Sequence, residues 1–252
     1  MVFLRRSLAL LFFVSLRGIA QPHLLIDPGH GGRDQGAQVG SLREAEVAWR
    51  WALALKKSLL ERGFQVTLSR DETSSQVQER RLSLARDPHF DLVISLHANY
   101  LQDPRVKGLE YYILNPLSLD DQKLQLAHDE VRLAKTLQEN SAAPNTPSSG
   151  LLDKKAQVLT IVENLKHQAR IKTSLKLAKL LSETWPGKLK QGPFEILSQA
   201  QAPAVLLELG FLSSPVDQKN LVDPQFISQQ TQKLAQSLVG YFAQKDSSKM
   251  NP

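Results

Sequence analysis

The chain has 252 residues, no cysteine and a formal net charge of +6. Without cysteine it has neither a disulfide framework nor a thiolate metal site. Because Arg5, Arg6 and Arg17 precede residue 21 and no acid does, the remainder carries only about +3, so the charge does not indicate nucleic-acid binding.

The first 20 residues have the pattern of a secretory signal peptide. Arg5 and Arg6 precede an apolar run at 8–16, and Gly18-Ile19-Ala20 gives small residues at cleavage-site spacing. We expect cleavage after Ala20, export to the periplasm or cell envelope, and no stable membrane anchor afterwards. A retained anchor is the alternative, although the apolar run is short for a bilayer span.

From residue 21 onward, strand-like and helix-like apolar patterns alternate. This alternation predicts an α/β fold: one domain at 21–245, with a mostly parallel, twisted sheet of about six strands and helices on both faces. Residues 246–252 are expected to form a disordered tail. The predicted strands are 24–26, 65–69, 92–96, 108–114, 194–197 and 204–209, and the predicted helices are 44–62, 77–86, 117–138, 158–182 and 224–244.

Residues able to bind a metal or move a proton follow three of the predicted strands. His30 comes after the first strand in a glycine-rich loop, His97 ends the strand at 92–96, and Glu208 ends the run at 204–207. Ligands of parallel sheets bind outside the carboxyl ends of the strands. We therefore expect these three side chains to lie close together.

A fourth candidate is an acid at the start of the helix at 44–62, where Glu44 and Glu46 compete. At about 100° per residue, Glu44 lies within roughly 60° of every member of the apolar stripe, whereas Glu46 points away. A buried carboxylate is costly without a partner, so Glu44 is predicted to face a cation and Glu46 to stabilise the helix N-terminus. The stripe consists of Val47, Trp51, Leu55 and Leu59.

Two histidines and a glutamate form a ligand set known from catalytic zinc sites, in which water takes the fourth position. A further carboxylate beside such a water suits general acid–base hydrolysis. Asp27 either accepts the second ring N–H of His30 or only turns the chain before Pro28. The other histidines, at positions 23, 89, 128 and 167, are interpreted as surface or structural residues.

Four segments resemble, in order, the motifs of the zinc-dependent N-acetylmuramoyl-L-alanine amidases, bacterial cell-wall amidases of the division type. The segments are DPGHGGRDQGA (27–37), REAEV (43–47), SLHAN (95–99) and PAVLLELGFLS (203–213). By position, the resemblance implies Zn²⁺ ligands at His30, Glu44 and His97 and a catalytic glutamate at Glu208. Ala45 replaces a usual lysine and Ser214 a common asparagine, which leaves these four groups intact.

The resemblance also implies the reaction and its partners. The expected reaction is hydrolysis of the amide between N-acetylmuramic acid and the L-alanine of the stem peptide, with Glu208 as general base and acid. Peptidoglycan is the expected partner, nucleic acid is not, and we expect a monomer. Two alternatives remain: a zinc peptidase acting within the stem peptide, and a non-catalytic wall-binding regulator with a decayed site. The presence of all four residues, His30, Glu44, His97 and Glu208, disfavours the regulator.

Residues 117–155 are a candidate regulatory insertion. The resemblance implies that some division amidases hold a helix over the zinc and release it when an activator protein binds. Glu130 and Glu139 are the candidate regulatory residues, and only one of them can face the zinc because nine residues separate them by about 180°. The alternative is a solvated surface hairpin that regulates nothing. The helix is predicted from an apolar stripe at Leu126, Leu133 and Leu137.

Overall fold

The structure is a computed structural model that describes residues 21–72, 77–115 and 149–250. The predicted signal peptide lies outside these residues. No helix within these ranges is both long and apolar enough to cross a membrane. The elements, in chain order, are β1 (His23–Pro28), β2 (Gln38–Val39), β3 (Leu42–Arg43), α1 (Glu44–Leu60), β4 (Gln65–Leu68), α2 (Val77–Ala85), β5 (Leu92–Asn99), β6 (Glu110–Leu114), α3 (Ser149–Thr184), β7 (Lys188–Gly192), α4 (Glu195–Gln199), β8 (Ala204–Phe211), α5 (Pro215–Val222) and α6 (Pro224–Met250).

The main sheet has six strands in the order β4-β1-β5-β8-β6-β7. Every neighbouring pair is parallel except β6 and β8, which are antiparallel. The predicted α/β domain with a mostly parallel sheet of about six strands is therefore confirmed. The three central strands β1, β5 and β8 all run in one direction, so their carboxyl ends share one edge of the sheet.

Helices cover both faces of this sheet, as predicted. On one face α1, α3 and α6 pack over a core that includes Leu24 and Ile26 of β1. On the other face α2 and α4 pack over a second core that includes Leu25 of β1 and Val93 of β5. Leu24, Leu25 and Ile26 point alternately to the two faces and each packs in an apolar core, which explains why this part of the strand has an uninterrupted apolar run.

Helix α1 buries the predicted stripe and connects the sheet to α6. Trp51 stacks on Trp185 with ring centroids 5.4 Å apart, and its indole N–H donates to the Leu221 carbonyl at 3.1 Å. The helix ends just before Gly63, whose φ of 82° lies in the left-handed region favoured by glycine. Trp51 thus holds the middle of α1 against Trp185 and α5.

The strand predicted at 194–197 is wrong, because residues 195–199 form the short helix α4. Pro193 cannot donate to a sheet ladder and ends β7. Ile196, Leu197 and Ala200 then bury one helical face, and an apolar run this short does not distinguish strand from helix. The real edge strand, β7, has the polar sequence KLKQG, which carries no apolar signal.

Smaller elements also differ from the sequence-based expectation. The hairpin of β2 and β3 and the helix α5 were not predicted from the apolar pattern, and α5 begins after Ser214, whose hydroxyl accepts the Asp217 N–H at 3.3 Å. Helix α3 starts at Ser149, before the predicted residue 158. Helix α6 continues to Met250 and includes most of the segment 246–252 that was expected to be a disordered tail.

Candidate metal centre

His30 lies in a tight loop at the carboxyl end of β1. Its backbone is left-handed, with φ 55°, and two backbone hydrogen bonds between Gly31 and Asp34 close the loop. The Nδ1 atom of His30 lies 2.8 Å from Asp34 Oδ2. The other ring nitrogen, Nε2, therefore faces the interior, 3.1 Å from Glu44 Oε1.

Glu44 is the first residue of α1, and its carboxylate is buried. Its Oε2 atom accepts the N–H of Ala37 at 3.0 Å, and its Oε1 atom accepts the N–H of Ala98 at 3.2 Å and lies 2.8 Å from His97 Nδ1. Glu46 lies on the exposed side of the helix. Glu44 is thus buried beside the histidines and Glu46 is exposed, as the positions of the two acids on the helix predict.

Two glycines make room for these side chains. A Cβ at Gly29 would overlap the ring of His97. A Cβ at Gly36 would lie 2.6 Å from Glu44 Oε2 and 2.7 Å from His30 Cδ2. Gly36 also has a φ of +65°, so both its conformation and its surroundings require glycine.

His30, Glu44 and His97 each present one donor atom within 4.8 Å of the others. Two imidazoles and one carboxylate are a donor set that suits Zn²⁺ and leaves a position for water, so the residues fit the metal that the sequence implies. Burial would lower the pKa of His30 and raise that of Glu44. Hydrogen bonds and charge attraction outweigh burial. Glu44 and Asp34 raise the pKa of His30, and His30 and His97 lower the pKa of Glu44.

Glu208 lies beside this cluster on β8. Its register neighbours are His97 on β5 and Glu110 on β6. Burial, and then the negative charges of Glu44 and Glu110, raise the pKa of Glu208 to about 8. Its Oε2 atom is buried and has no hydrogen-bond partner in the described part of the chain. A buried carboxyl oxygen without a partner is rare, and together with the raised pKa and the adjacent donor cluster it makes Glu208 a candidate for a functional role.

Asp27 does not contact His30, contrary to one of the two expectations. Its carboxylate is fully buried and accepts hydrogen bonds from Arg81 Nε at 2.6 Å and Nη2 at 2.8 Å. The hydroxyls of Ser69 and Ser95 each donate to it at 2.6 Å. Asp27 therefore binds the ends of β1, β4 and β5 to helix α2, and it has no acceptor position left for an imidazole.

Asp34, and not Asp27, contacts the second ring nitrogen of His30. It lies four residues after His30 and reaches Nδ1 because the intervening loop doubles back. The Gly36 N–H donates to its other oxygen at 3.0 Å. The contacts of Asp34, and also those of Arg81 and Glu110, were not predicted, because nothing in the spacing of these residues shows which side chain they face.

A cavity of about 330 Å³ opens beside the two histidines. His30, His97 and Asp34 line one part of it, and Arg81 and Phe194 line another. Two of the three candidate ligands, His30 and His97, are thus accessible from a groove at the carboxyl edge of the sheet. Such an edge is where α/β folds bind their ligands.

The candidate regulatory residues Glu130 and Glu139 lie outside the described residues. Of the segment 117–155, the structure describes only the part from Ser149, where α3 begins. The regulatory hypothesis, its activator and the expected monomer therefore stay predictions.

A family profile and a bacterial relative both match most of this chain. The profile of the N-acetylmuramoyl-L-alanine amidase family matches residues 24–239. Among relatives, the N-acetylmuramoyl-L-alanine amidase AmiC of Neisseria meningitidis serogroup B is 28% identical over 229 residues, covering 88% of this chain and 53% of that protein. The chain thus spans about half the length of this relative.

Solved structures of low sequence identity share the fold. The N-acetylmuramoyl-L-alanine amidase AmiC2 of Nostoc punctiforme superposes with a TM-score of 0.61 at 20% identity, covering 90% of this chain and 99% of that one. The CwlD amidase of Clostridioides difficile, solved in complex with the GerS lipoprotein, gives a TM-score of 0.60 at 16% identity, covering 88% of this chain and 99% of that one. These matches support the α/β architecture described above.

Proposed function

Because the chain belongs to the N-acetylmuramoyl-L-alanine amidase family, we propose that it is a zinc hydrolase of peptidoglycan. The bond cut is the amide between N-acetylmuramic acid and the L-alanine of the stem peptide. His30, Glu44 and His97 hold the zinc, and Glu208 is the catalytic residue that moves the proton.

One observation supports this proposal above all. Three metal-binding donors come together at the carboxyl edge of the sheet, and the buried carboxyl of Glu208 lies on the neighbouring strand with an oxygen that has no partner. A metal centre held for structural reasons would need no such carboxyl. Hydrolysis of an amide needs both an activated water and a group that transfers its proton.

The metal, when bound, would polarise the scissile carbonyl and lower the pKa of water toward about 7. Glu208 accepts the proton of the attacking water and returns it to the leaving amine of L-alanine. Burial and the charges of Glu44 and Glu110 raise the pKa of Glu208 to about 8, which favours the protonated form that returns the proton to the leaving amine. The positive charge of a bound metal would favour the carboxylate form that accepts the proton of water. Burial keeps bulk water from competing for that proton.

Asp34 orients the first ligand. By accepting the Nδ1–H of His30, it fixes the tautomer in which the Nε2 lone pair faces the cluster. The groove beside the histidines, about 330 Å³ in volume, gives the scissile amide and its flanking groups access to the centre.

We also place the enzyme in the cell envelope, where its substrate is. The signal-like pattern of residues 1–20 supports export. Expression of the chain with and without residues 1–20, followed by fractionation, tests this step. Retention of the full chain in the cytoplasm would contradict it.

The reaction is tested by digesting purified sacculi with the zinc-loaded protein and analysing the products by mass spectrometry. We expect intact stem peptides with free L-alanine amino termini, together with glycan strands that carry no peptides. Shortened peptides would instead identify a zinc peptidase. Unchanged sacculi would indicate a non-catalytic wall-binding protein. Glu208→Gln is the inactive control, and Glu46→Ala is the matched control at an exposed glutamate.

A further inference from the structure

We propose that Arg70 is a positioning residue of the metal centre, because its guanidinium fixes the distance between the loop that carries His30 and the helix turn that carries Glu44. The proposal rests on the metal centre described above, and it does not depend on which bond the enzyme cuts. Arg70 touches none of the donor atoms in the described structure, so its effect is exerted through the backbone.

The hydrogen bonds of Arg70 join two elements. Its Nε atom donates to the Pro28 carbonyl at 3.0 Å, and Nη2 donates to the Gly29 carbonyl at 3.2 Å. These two residues immediately precede His30. The same Nη2 atom donates to the Ala45 carbonyl at 2.9 Å, and Ala45 immediately follows Glu44. One side chain therefore connects the neighbours of two of the three candidate ligands.

Arg70 itself is held in one position. It follows the end of β4, is buried, and donates from Nη1 to the Asp71 carbonyl at 3.1 Å. Its guanidinium lies over the Trp49 ring of α1, 5.2 Å from the centroid. On the other side Gly31 lies close, since a Cβ there would be 2.8 Å from Arg70 Cδ. The side chain is thus packed between the His30 loop and α1.

Only arginine can make this set of contacts. The guanidinium presents five N–H donors in a rigid plane, whereas the ammonium of lysine is a compact charge on a flexible chain. Burial, and then the nearby charge of Arg81, lower the pKa of Arg70 to about 10, which still leaves it charged at neutral pH. Arg70→Lys therefore preserves the charge and removes the planar set of donors.

A control substitution for Arg70→Lys is available at Arg50, in the same region of the surface. Arg50 lies on α1 and lines the same cavity of about 560 Å³ as Arg70. It is exposed, and its ion pair with Glu46 spans 3.8 Å. Arg50→Lys makes the same chemical change beside the same cavity without touching the His30 loop.

The test measures metal binding by the purified full chain. Zinc affinity is obtained by competition with a chelating indicator, and the geometry of the ligands by the visible spectrum of the cobalt-substituted protein. We expect Arg70→Lys to weaken zinc binding by roughly 10- to 100-fold and to change the cobalt spectrum, as for other residues that orient metal ligands. Arg50→Lys should match the wild type in both.

Thermal unfolding of the metal-free proteins separates positioning from a general loss of stability. Wild-type zinc affinity and cobalt spectrum in Arg70→Lys would overturn the proposal, even if the melting temperature falls. If Arg70→Lys does not fold, Arg70→Gln replaces it, because its shorter side chain with a single amide nitrogen cannot join the Pro28 and Gly29 carbonyls to the Ala45 carbonyl. The same loss of zinc affinity is expected, and wild-type affinity would overturn the proposal. A wild-type protein that binds zinc but leaves sacculi uncut would refute the proposed function alone, whereas one that binds no zinc would refute both.

Discussion

His97 and Glu208 lie side by side in register on the parallel strands β5 and β8. Their separation is therefore set by the spacing of the sheet, about 4.8 Å between strands, and does not depend on a loop. The proposed metal ligand His97 and the proposed proton-transferring residue Glu208 therefore lie on adjacent strands, and substitutions can test the two roles separately.

Replacing Glu208 should abolish the chemistry and leave the metal in place. An amide cannot accept a proton from water, so we expect Glu208→Gln to lose roughly 10²- to 10⁴-fold in activity, the usual contribution of general acid–base catalysis. Zinc content measured by elemental analysis should equal that of the wild type. Near-zero zinc would show that Glu208 is a ligand and that its assigned role is wrong.

The three candidate ligands should behave differently from Glu208. His30→Ala, His97→Ala and Glu44→Ala should each lose zinc as well as activity, because each removes one donor atom. Glu46→Ala should keep both, since Glu46 lies on the exposed side of α1. Loss of zinc in Glu46→Ala, with zinc retained in Glu44→Ala, would contradict the ligand assignment.

Gly36 and Gly40 form a matched pair of positions for testing whether the proposed metal site needs the space that a glycine leaves. Both have left-handed backbone, with φ +65° and +60°, but a Cβ at Gly40 has nothing within 4 Å. We expect each alanine variant to lose about 1 kcal/mol of stability from backbone strain. Only Gly36→Ala should also weaken zinc binding in a competition titration, because its Cβ would collide with His30 and Glu44. Equal zinc affinity in the two variants would refute this explanation.

The buried carboxylate of Asp27 should make the free energy of unfolding depend on pH in the acid range. Burial alone would raise its pKa, but the charge of Arg81 and the hydrogen bonds from Arg81, Ser69 and Ser95 lower it to about 2. Because the pKa of Asp27 is lower in the folded state than in the unfolded state, its contribution to the free energy of unfolding is complete above about pH 4. This contribution, about 2 kcal/mol, is lost as the pH falls through about 2.

This dependence is measured by chemical denaturation at several pH values. Asp27→Asn should be less stable at neutral pH and should have a flatter stability curve between about pH 4 and 2. Asp103→Asn is the control. Hydrogen bonds from Arg105 also lower the pKa of Asp103, but this pair lies on the surface, where solvent screens it, so the substitution should flatten the curve far less than Asp27→Asn. A wild-type curve as flat as that of Asp27→Asn would contradict the assignment.

The sequence predicted those parts of the fold whose apolar pattern is set by burial. The central strands β1, β5 and β8 are buried throughout most of their length, so their apolar runs are unmistakable. The edge strand β7 was missed because its side chains are largely exposed. The run at 194–197 was misread because Pro193 and three buried side chains, and not periodicity, decide its conformation.

The candidate site was predicted in position but not in its supporting contacts. His30, His97 and Glu208 were found because strand ends in a parallel sheet meet at one edge, and Glu44 because a helix has a fixed period. Their supports depend on directions that sequence spacing does not give. The carboxylate of Asp27 points across the strands to Ser69 and Ser95, and the left-handed turn at His30 brings in Asp34.

The order of the strands in the sheet affects the order in which the chain can fold. β5 and β6 follow one another in the chain, yet β8 lies between them in the sheet. The centre of the sheet therefore stays open until residues 204–211 insert, and contacts between such distant segments form slowly. Until then a folding chain has the three proposed metal ligands but lacks the proposed base, Glu208, so under the proposed function we expect it to be inactive before β8 is in place. Pulse-labelled hydrogen exchange would contradict this order if the amides of β8 became protected before those of β1 and β5.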